Sequence, residues 1–297
     1  MRIRSFAYLT DRHILVAAPE LPHALEELKP NLLVYDLSMG LPTRIAIDDS
    51  PFVCSFICPS PSPWIVAFDI GIQSDPAPYH KPDPALSVPF FTGRENRMFV
   101  ITIQLTDGHA IQTFVIFIPS FTLTKQVSTL TSHEGGICFP WEEWGPTGAR
   151  MMPSPGQSSI WVCYTYGMRF VTSRESETGD TTIYVFDFNP LPIKRAVQRG
   201  PTENFGSLCN TSPTSVMPGA FEDIITTSLP YSISEVSLET NTEDVGKFSA
   251  IMCSEDSLII VSVRSSTLSC VDSATCEFKL VLFQTGRGHR EIRILTF

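Results

Sequence analysis

Two adjacent glutamates stand between two tryptophans in "CFPWEEWGPTGARMM", Cys138 to Met152. A carboxylate pair walled by aromatics is the equipment of a glycosidase, in which one carboxyl is the acid and the other the nucleophile or base. Those carboxyls must converge across roughly 5–10 Å from different elements. Read as a strand, this stretch does not supply them, because neighbouring strand residues point to opposite faces. On that reading one of Glu142 and Glu143 is solvated and the other sits at a strand end. Trp141 and Trp144 then pack beneath a sheet edge, and Gly145-Pro146 makes the turn. The stretch is expected to be architecture.

Other chemistry-bearing residues are scattered. The serines include no G-x-S-x-G elbow for a hydrolase. The histidines (His13, His23, His80, His109, His133 and His289) fall mostly in turn-rich stretches, where a solvated loop histidine is the ordinary outcome. "TGRGHR", Thr285 to Arg290, lacks the spacing of a phosphate-binding loop. Asp69, Asp75 and Asp83 are spread through irregular sequence and make no calcium loop. The eight cysteines form no C-x-x-C pair and have no histidine at zinc-finger spacing. Cys54 and Cys58 of "CSFIC" read as small buried hydrophobes on one face of a strand. No catalytic, cofactor-binding or metal-ligating residue is therefore expected, and no cofactor.

The elements that would position any site are strands. Proline is abundant at 24 residues and glycine numbers 17, which favours turns over long helices. "MFVITIQLTDGHAIQTFVIFIP" sets two apolar runs around Asp107-Gly108, a strong hairpin signal. Its first arm is apolar on both faces, as in a strand covered on both sides. Short runs of the same kind recur at "HILVAA", "NLLVYDL", "WIVAFDI", "TIYVFDF" and "IRILTF". "SFTLTKQVSTLTSHE", with Ser120 as N-cap, is the one helix candidate. The proline-dense stretch from Asp75 to Pro89 reads as a surface excursion. With 43% hydrophobic and 18% charged residues, the chain can bury a core. A net charge of −10 speaks against nucleic acid and against an anionic membrane as partners. No signal peptide or membrane-spanning run is apparent, so a cytoplasmic or nuclear location is expected.

Strands at this density leave a sandwich, a barrel or a propeller. "LLVYDLS" and "IYVFDFN" favour the last. Each is an apolar strand that closes on an aromatic–aspartate pair, Tyr35-Asp36 or Phe186-Asp187, much as a blade's third strand ends in Trp-Asp. The phrases "WGPTGARMM", "IWVCYTYGMRFV", "YVFDFNPLPIKR", "TSLPYS", "MCSEDSLIIV" and "IRILTF", in this order, resemble the C-terminal region of F-box proteins from mushroom-forming fungi. Trp141, Trp144, Gly145, Pro146, Trp161, Gly167 and Asp187 are the structural signature of that resemblance. It implies an all-β, divergent WD-repeat-like β-propeller of antiparallel blades, and a substrate-receptor role in a cullin ubiquitin ligase. The family's leucine-proline-rich helical F-box does not precede these phrases here. Docking onto Skp1 is therefore not expected of this chain, and the ring of blades is expected to be incomplete.

These readings converge on a single domain over 1–297 that acts as a non-enzymatic protein-binding module with an unknown protein partner. Two alternatives stand beside it: a propeller hydrolase, glycosidase- or lactonase-like, with carboxylates in its channel, and a truncated product without activity. One segment breaks the pattern of the resemblance. Ser262 to His289 intervenes between "MCSEDSLIIV" and "IRILTF", which run almost directly together in the family. It is expected to loop out as an insertion, leaving Ser257–Val261 paired with Glu291–Phe297.

Overall fold

The structure is a computed structural model that describes residues 5–18, 29–39, 52–75, 96–130, 136–154, 165–176, 181–199, 207–216, 219–238, 247–253, 257–265, 276–284 and 292–296. These are mostly strand, in open, mostly antiparallel sheets, with three short α-helices. Contacts gather the chain into two compact units, Met1–Ser154 with Thr211–Pro230 and Pro155–Asn210 with Tyr231–Phe297.

The first unit opens with β1 (Ser5–Tyr8), β2 (His13–Ala18), β3 (Asn31–Asp36) and β4 (Cys54–Ile57), paired antiparallel in sequence order. Leu15, Leu32 and Val34 enter the main core, while Val16, Leu33 and Tyr35 join a second cluster on the opposite face. Burial on both faces is why "NLLVYD" reads as an unbroken apolar run. Next come β5 (Val66–Ser74), β6 (Met98–Thr106) and β7 (Ile111–Pro119). The expected hairpin joins β6 to β7, with Thr106 opposite Ile111. Its four-residue loop is held by the Asp107 carboxylate, which accepts the amides of His109 and Ala110 at 2.8 Å each. Gly108 takes φ +89° there, a conformation that glycine adopts without steric cost.

Helix α1 (Ser120–Thr129) confirms the helix candidate, although Pro119 holds the N-cap position and Ser120 is already helical. Strand β8 (Ile137–Phe139) pairs parallel with β4 and completes the first sheet. Helix α2 (Trp141–Gly148) follows, and β9 (Arg150–Pro153) pairs with β7 to close the order β5-β6-β7-β9. The expected strand and Gly-Pro turn at Trp141–Pro146 are thus corrected to a helix.

The chain then builds the second unit with β10 (Thr165–Tyr166), β11 (Arg169–Glu175), β12 (Thr181–Asp187), helix α3 (Pro190–Arg199) and β13 (Ser207–Asn210). It returns to the first unit for a ribbon of β14 (Thr214–Val216) and β15 (Ile225–Thr227). Back in the second unit, β16 (Tyr231–Leu238) completes a sheet of order β10-β11-β12-β16-β13. The last sheet is β17 (Lys247–Cys253), β18 (Ser257–Ser265), β19 (Cys276–Gln284) and β20 (Ile292–Thr296), in sequence order. Here the insertion reading is corrected. Ser257 to Val261 pair with Leu280 to Gln284, and β20 pairs with the far side of β19. Within it Cys276–Gln284 is an inner strand, since backbone groups paired on both edges satisfy more donors and acceptors than a looped-out excursion.

Candidate binding cleft

The tryptophan-glutamate stretch folds as a helix because its buried residues recur at helical spacing. Trp141, Trp144 and Gly145 face the core at positions i, i+3 and i+4. Glu142 and Glu143 fall in the first turn, where carboxylates favour the helix dipole. Both are exposed, about 100° apart around the helix, so the expected split to opposite faces of a strand does not occur. The indoles of Trp141 and Trp144 meet edge to face at 4.8 Å between centroids, and Trp144 meets Phe56 likewise at 5.7 Å. A Cβ on Gly145 would overlap the Trp141 ring, which is the physical reason for glycine at that position. Pro146 has no N–H to return to the Glu142 carbonyl, so the helix stays short. Its own carbonyl accepts the Ser228 amide at 2.8 Å and the Ser228 hydroxyl at 3.0 Å.

That pair of bonds ties α2 to residues 219–230, the second wall of a cleft. The wall is fixed from behind by Arg150, which has no solvent exposure. Its guanidinium donates to the carbonyls of Leu229 (2.7 Å), Ser212 (3.0 Å) and Thr227 (3.1 Å) and to the Thr214 hydroxyl (2.7 Å). The third wall is the proline-rich "PSPSP". Ser62 donates its amide to the Ala220 carbonyl at 3.1 Å, and Glu222 returns its amide to the Ser60 carbonyl at 3.1 Å. The "PSPSP" backbone thus pairs briefly with the wall, bridging Pro61 to Phe221.

Between these walls lies a cleft of about 300 Å³. Pro59, Trp141 and Ile225 make a buried apolar floor. Glu142, Glu222 and Asp223 stand exposed at the rim beside Ile224, which is 56% exposed. Among the described residues no lysine, arginine or histidine lines it. The three carboxylates come from two separate segments that line one cleft. Among the described residues no group of histidine, cysteine and carboxylate side chains gathers as metal ligands, and no helix is long and apolar enough to cross a membrane.

The aromatic–aspartate pairs form a second, repeated feature. In each, the aspartate ends the third strand of its sheet order and bonds the backbone two residues on: Asp36 Oδ1 accepts the Ser38 amide at 2.8 Å, and Asp187 Oδ1 accepts the Asn189 amide at 2.9 Å. The intervening residue in each returns its amide to the neighbouring strand's turn, Leu37 to the Arg12 carbonyl at 2.8 Å and Phe188 to the Met168 carbonyl at 2.9 Å. Each aspartate also receives an arginine. Arg12 donates Nε to Asp36 at 2.7–2.8 Å and its Nη2 as well, and Arg169 Nε donates to Asp187 at 3.1 Å. The Arg12 hydrogen bonds hold the Asp36 carboxyl well below the usual carboxylate range, with the Ser38 hydroxyl and amide adding to this against the opposing effect of burial. Burial lowers the proton affinity of the adjacent His13, whose Nδ1 lies 2.9 Å from the Thr10 hydroxyl.

Of the remaining signature residues, Gly167 sits at φ +54° in the two-residue turn between Tyr166 and Arg169. Tight hairpin turns of this length need positive φ. Trp161 lies outside the described residues. Cys54 and Cys58 are buried as expected, and burial pushes each thiol up to about 12. Sequence reasoning missed Glu222 and Asp223 and missed Arg150. A comparison with models of known protein families finds no match, and no curated protein matches the chain.

Proposed function

We propose that the chain is a non-enzymatic protein-binding module whose sheets are the blades of a divergent, WD-repeat-like propeller. It would be of the kind that serves as substrate receptor in fungal F-box proteins, and would act in the cytoplasm or nucleus. One observation carries the reading: the same aspartate clasp recurs at the end of the third strand in two antiparallel sheets. A repeated local device in repeated sheets is how a propeller positions its loops, and loops on a rigid β-scaffold are the usual place for recognition. A separate cleft with an apolar floor and an acidic rim supports the binding half of the proposal.

The test is affinity purification of this chain, and of a version extended upstream in its gene, from the cells that express it. A stoichiometric protein partner is expected for both, with Skp1 and cullin only where an F-box precedes the blades. A chain that elutes alone in both cases would refute the binding role. An experimental structure in which the sheets do not pack face to face around an axis would refute the propeller.

The rim carboxylates favour one second reading, a propeller hydrolase using Glu142, Glu222 and Asp223. Their exposure weighs against it, because a general acid is kept protonated by an apolar, water-poor setting. Turnover of aryl glycosides or lactones that disappears in Glu142→Gln or Glu222→Gln would establish it.

A further inference from the structure

We propose that the cleft between α2 and residues 222–226 takes a basic segment of a partner protein, an arginine flanked by apolar residues. The inference rests on the reading of the chain as a protein-binding module and names the partner's chemistry. It starts from the lining, which pairs an apolar floor of Pro59, Trp141 and Ile225 with three carboxylates at the rim. A purely apolar ligand would leave those carboxylates desolvated without a partner, and an anionic one would be repelled. A side chain with a long apolar stem and a cationic head satisfies both layers at once. Arginine suits them better than lysine, because its planar fork can bridge carboxylates from two segments. The volume of about 300 Å³ lies at the small end for a ligand pocket, which suits one or two side chains rather than a folded surface. Among the described residues the lining carries three carboxylates and no cation, in a chain whose net charge is −10.

The walls are built to hold this geometry. Ser228 clamps Pro146, the Ser60 and Glu222 backbones pair, and Arg150 anchors the ribbon behind. Rim charges act mainly through encounter rate and salt sensitivity. Binding should therefore be fast at low salt and weaken as the screening length falls from about 30 Å at 0.01 M to about 8 Å at 0.15 M.

The probe is a short fluorescein-labelled peptide alternating arginine and leucine, compared with its twin in which neutral citrulline replaces each arginine. Fluorescence anisotropy on the full chain should give saturable binding of the arginine peptide, with the citrulline twin about tenfold weaker, mostly through slower association. The triple variant Glu142→Gln/Glu222→Gln/Asp223→Asn should bind the two alike. Ile224→Ser should weaken both peptides, and Glu235→Gln, an exposed carboxylate on β16, should change neither. All substituted side chains are exposed, so an unchanged thermal melt separates lost binding from lost folding. Equal binding of the two peptides by the wild type, or a preference that survives in the triple variant, overturns the inference. The binding-module reading fails separately. If the triple variant captures the same cellular partner as the wild type, the cleft inference falls and the module stands. If neither captures a partner while the wild type still prefers the arginine peptide, the module reading falls and the cleft's chemistry stands.

Discussion

Replacing Arg150 with methionine tests whether the second wall of the cleft is held as argued. Methionine keeps an apolar stem of similar length and removes the whole guanidinium. Four bonds are lost, to Leu229, Ser212, Thr227 and Thr214, all between 2.7 and 3.1 Å. Hydrogen bonds to a charged group contribute about 1.5–3 kcal/mol each with desolvation already included, so four independent bonds would sum to about 6–12 kcal/mol. Bonds that share one guanidinium are not independent, and the variant leaves no buried charge behind. A loss of about 3–5 kcal/mol is therefore expected, toward the upper end for a single substitution. With a urea slope of about 2–3 kcal/mol/M, the unfolding midpoint should fall by about 1.5 M. Trp141 and Trp144 pack near this wall and report the transition by fluorescence. A glutamate-specific protease should also cut sooner after Glu222, because the wall loses its anchor. Arg150→Lys should fall between the two, since one ammonium cannot span acceptors on both strands of the ribbon. A methionine variant whose midpoint stays within about 0.3 M of the wild type, with unchanged cleavage, would refute the argument: the burial cost would then equal the bonds.

Three further outcomes are expected. Gly145→Ala should destabilise the chain by about 2 kcal/mol, because overlap with the buried Trp141 ring outweighs the roughly 1 kcal/mol that alanine brings to a helix; a melt equal to or above the wild type would deny the overlap. In the Asp36 clasp the folded carboxyl titrates below its unfolded value of about 3.9, so the clasp's stability is fully present above that pH and is lost as pH falls through the folded value. Urea midpoints down to about pH 3 should show an acid-side decline that Asp36→Asn flattens, and an equal decline in the variant would assign it elsewhere. With iodoacetamide under native conditions, exposed Cys138 should be alkylated while buried Cys54 and Cys58 react only on unfolding, as peptide mass mapping would reveal; early labelling of Cys58 would contradict its burial.

Much of the strand content was legible because its signals are local. The β6–β7 hairpin announces itself through alternating apolar residues and an Asp-Gly turn, and its register matches those runs. β2 and β3 read as apolar throughout because both faces are covered. Helix α3 was hidden by its prolines, although Pro190 occupies the first turn, where no N–H is needed, and Asn189 caps the Leu191 amide at 3.1 Å. The cleft carboxylates were hidden for a different reason. Glu222 and Asp223 are placed beside Glu142 by the Ser228–Pro146 bonds, by long-range pairing with "PSPSP" and by Arg150, and none of these contacts leaves a periodic trace in the sequence.

The corrected elements share one cause, a local reading made without its partners. At β19 the serine-rich approach and the departure from the family's phrase order suggested a loop. The strand "CEFKLVLFQ" has unpaired backbone groups on both edges unless it lies between two neighbours, and β18 and β20 offer it nine and five residues in register. Pairing on both sides satisfies more donors and acceptors than a looped-out segment could, so the sheet takes the strand in. At α2 the aromatic and acidic residues suggested a strand end, yet the spacing Trp141-x-x-Trp144-Gly145 already carries the helical period. Both indoles face the core only if the backbone turns about 100° per residue, and Gly145 must then lie under Trp141 with no side chain of its own. The same rotation that buries the tryptophans leaves Glu142 on the outside, at the cleft rim. The residues that looked like a catalytic pair are thus placed by packing, and the acidic cleft follows from which side of that helix is left facing water.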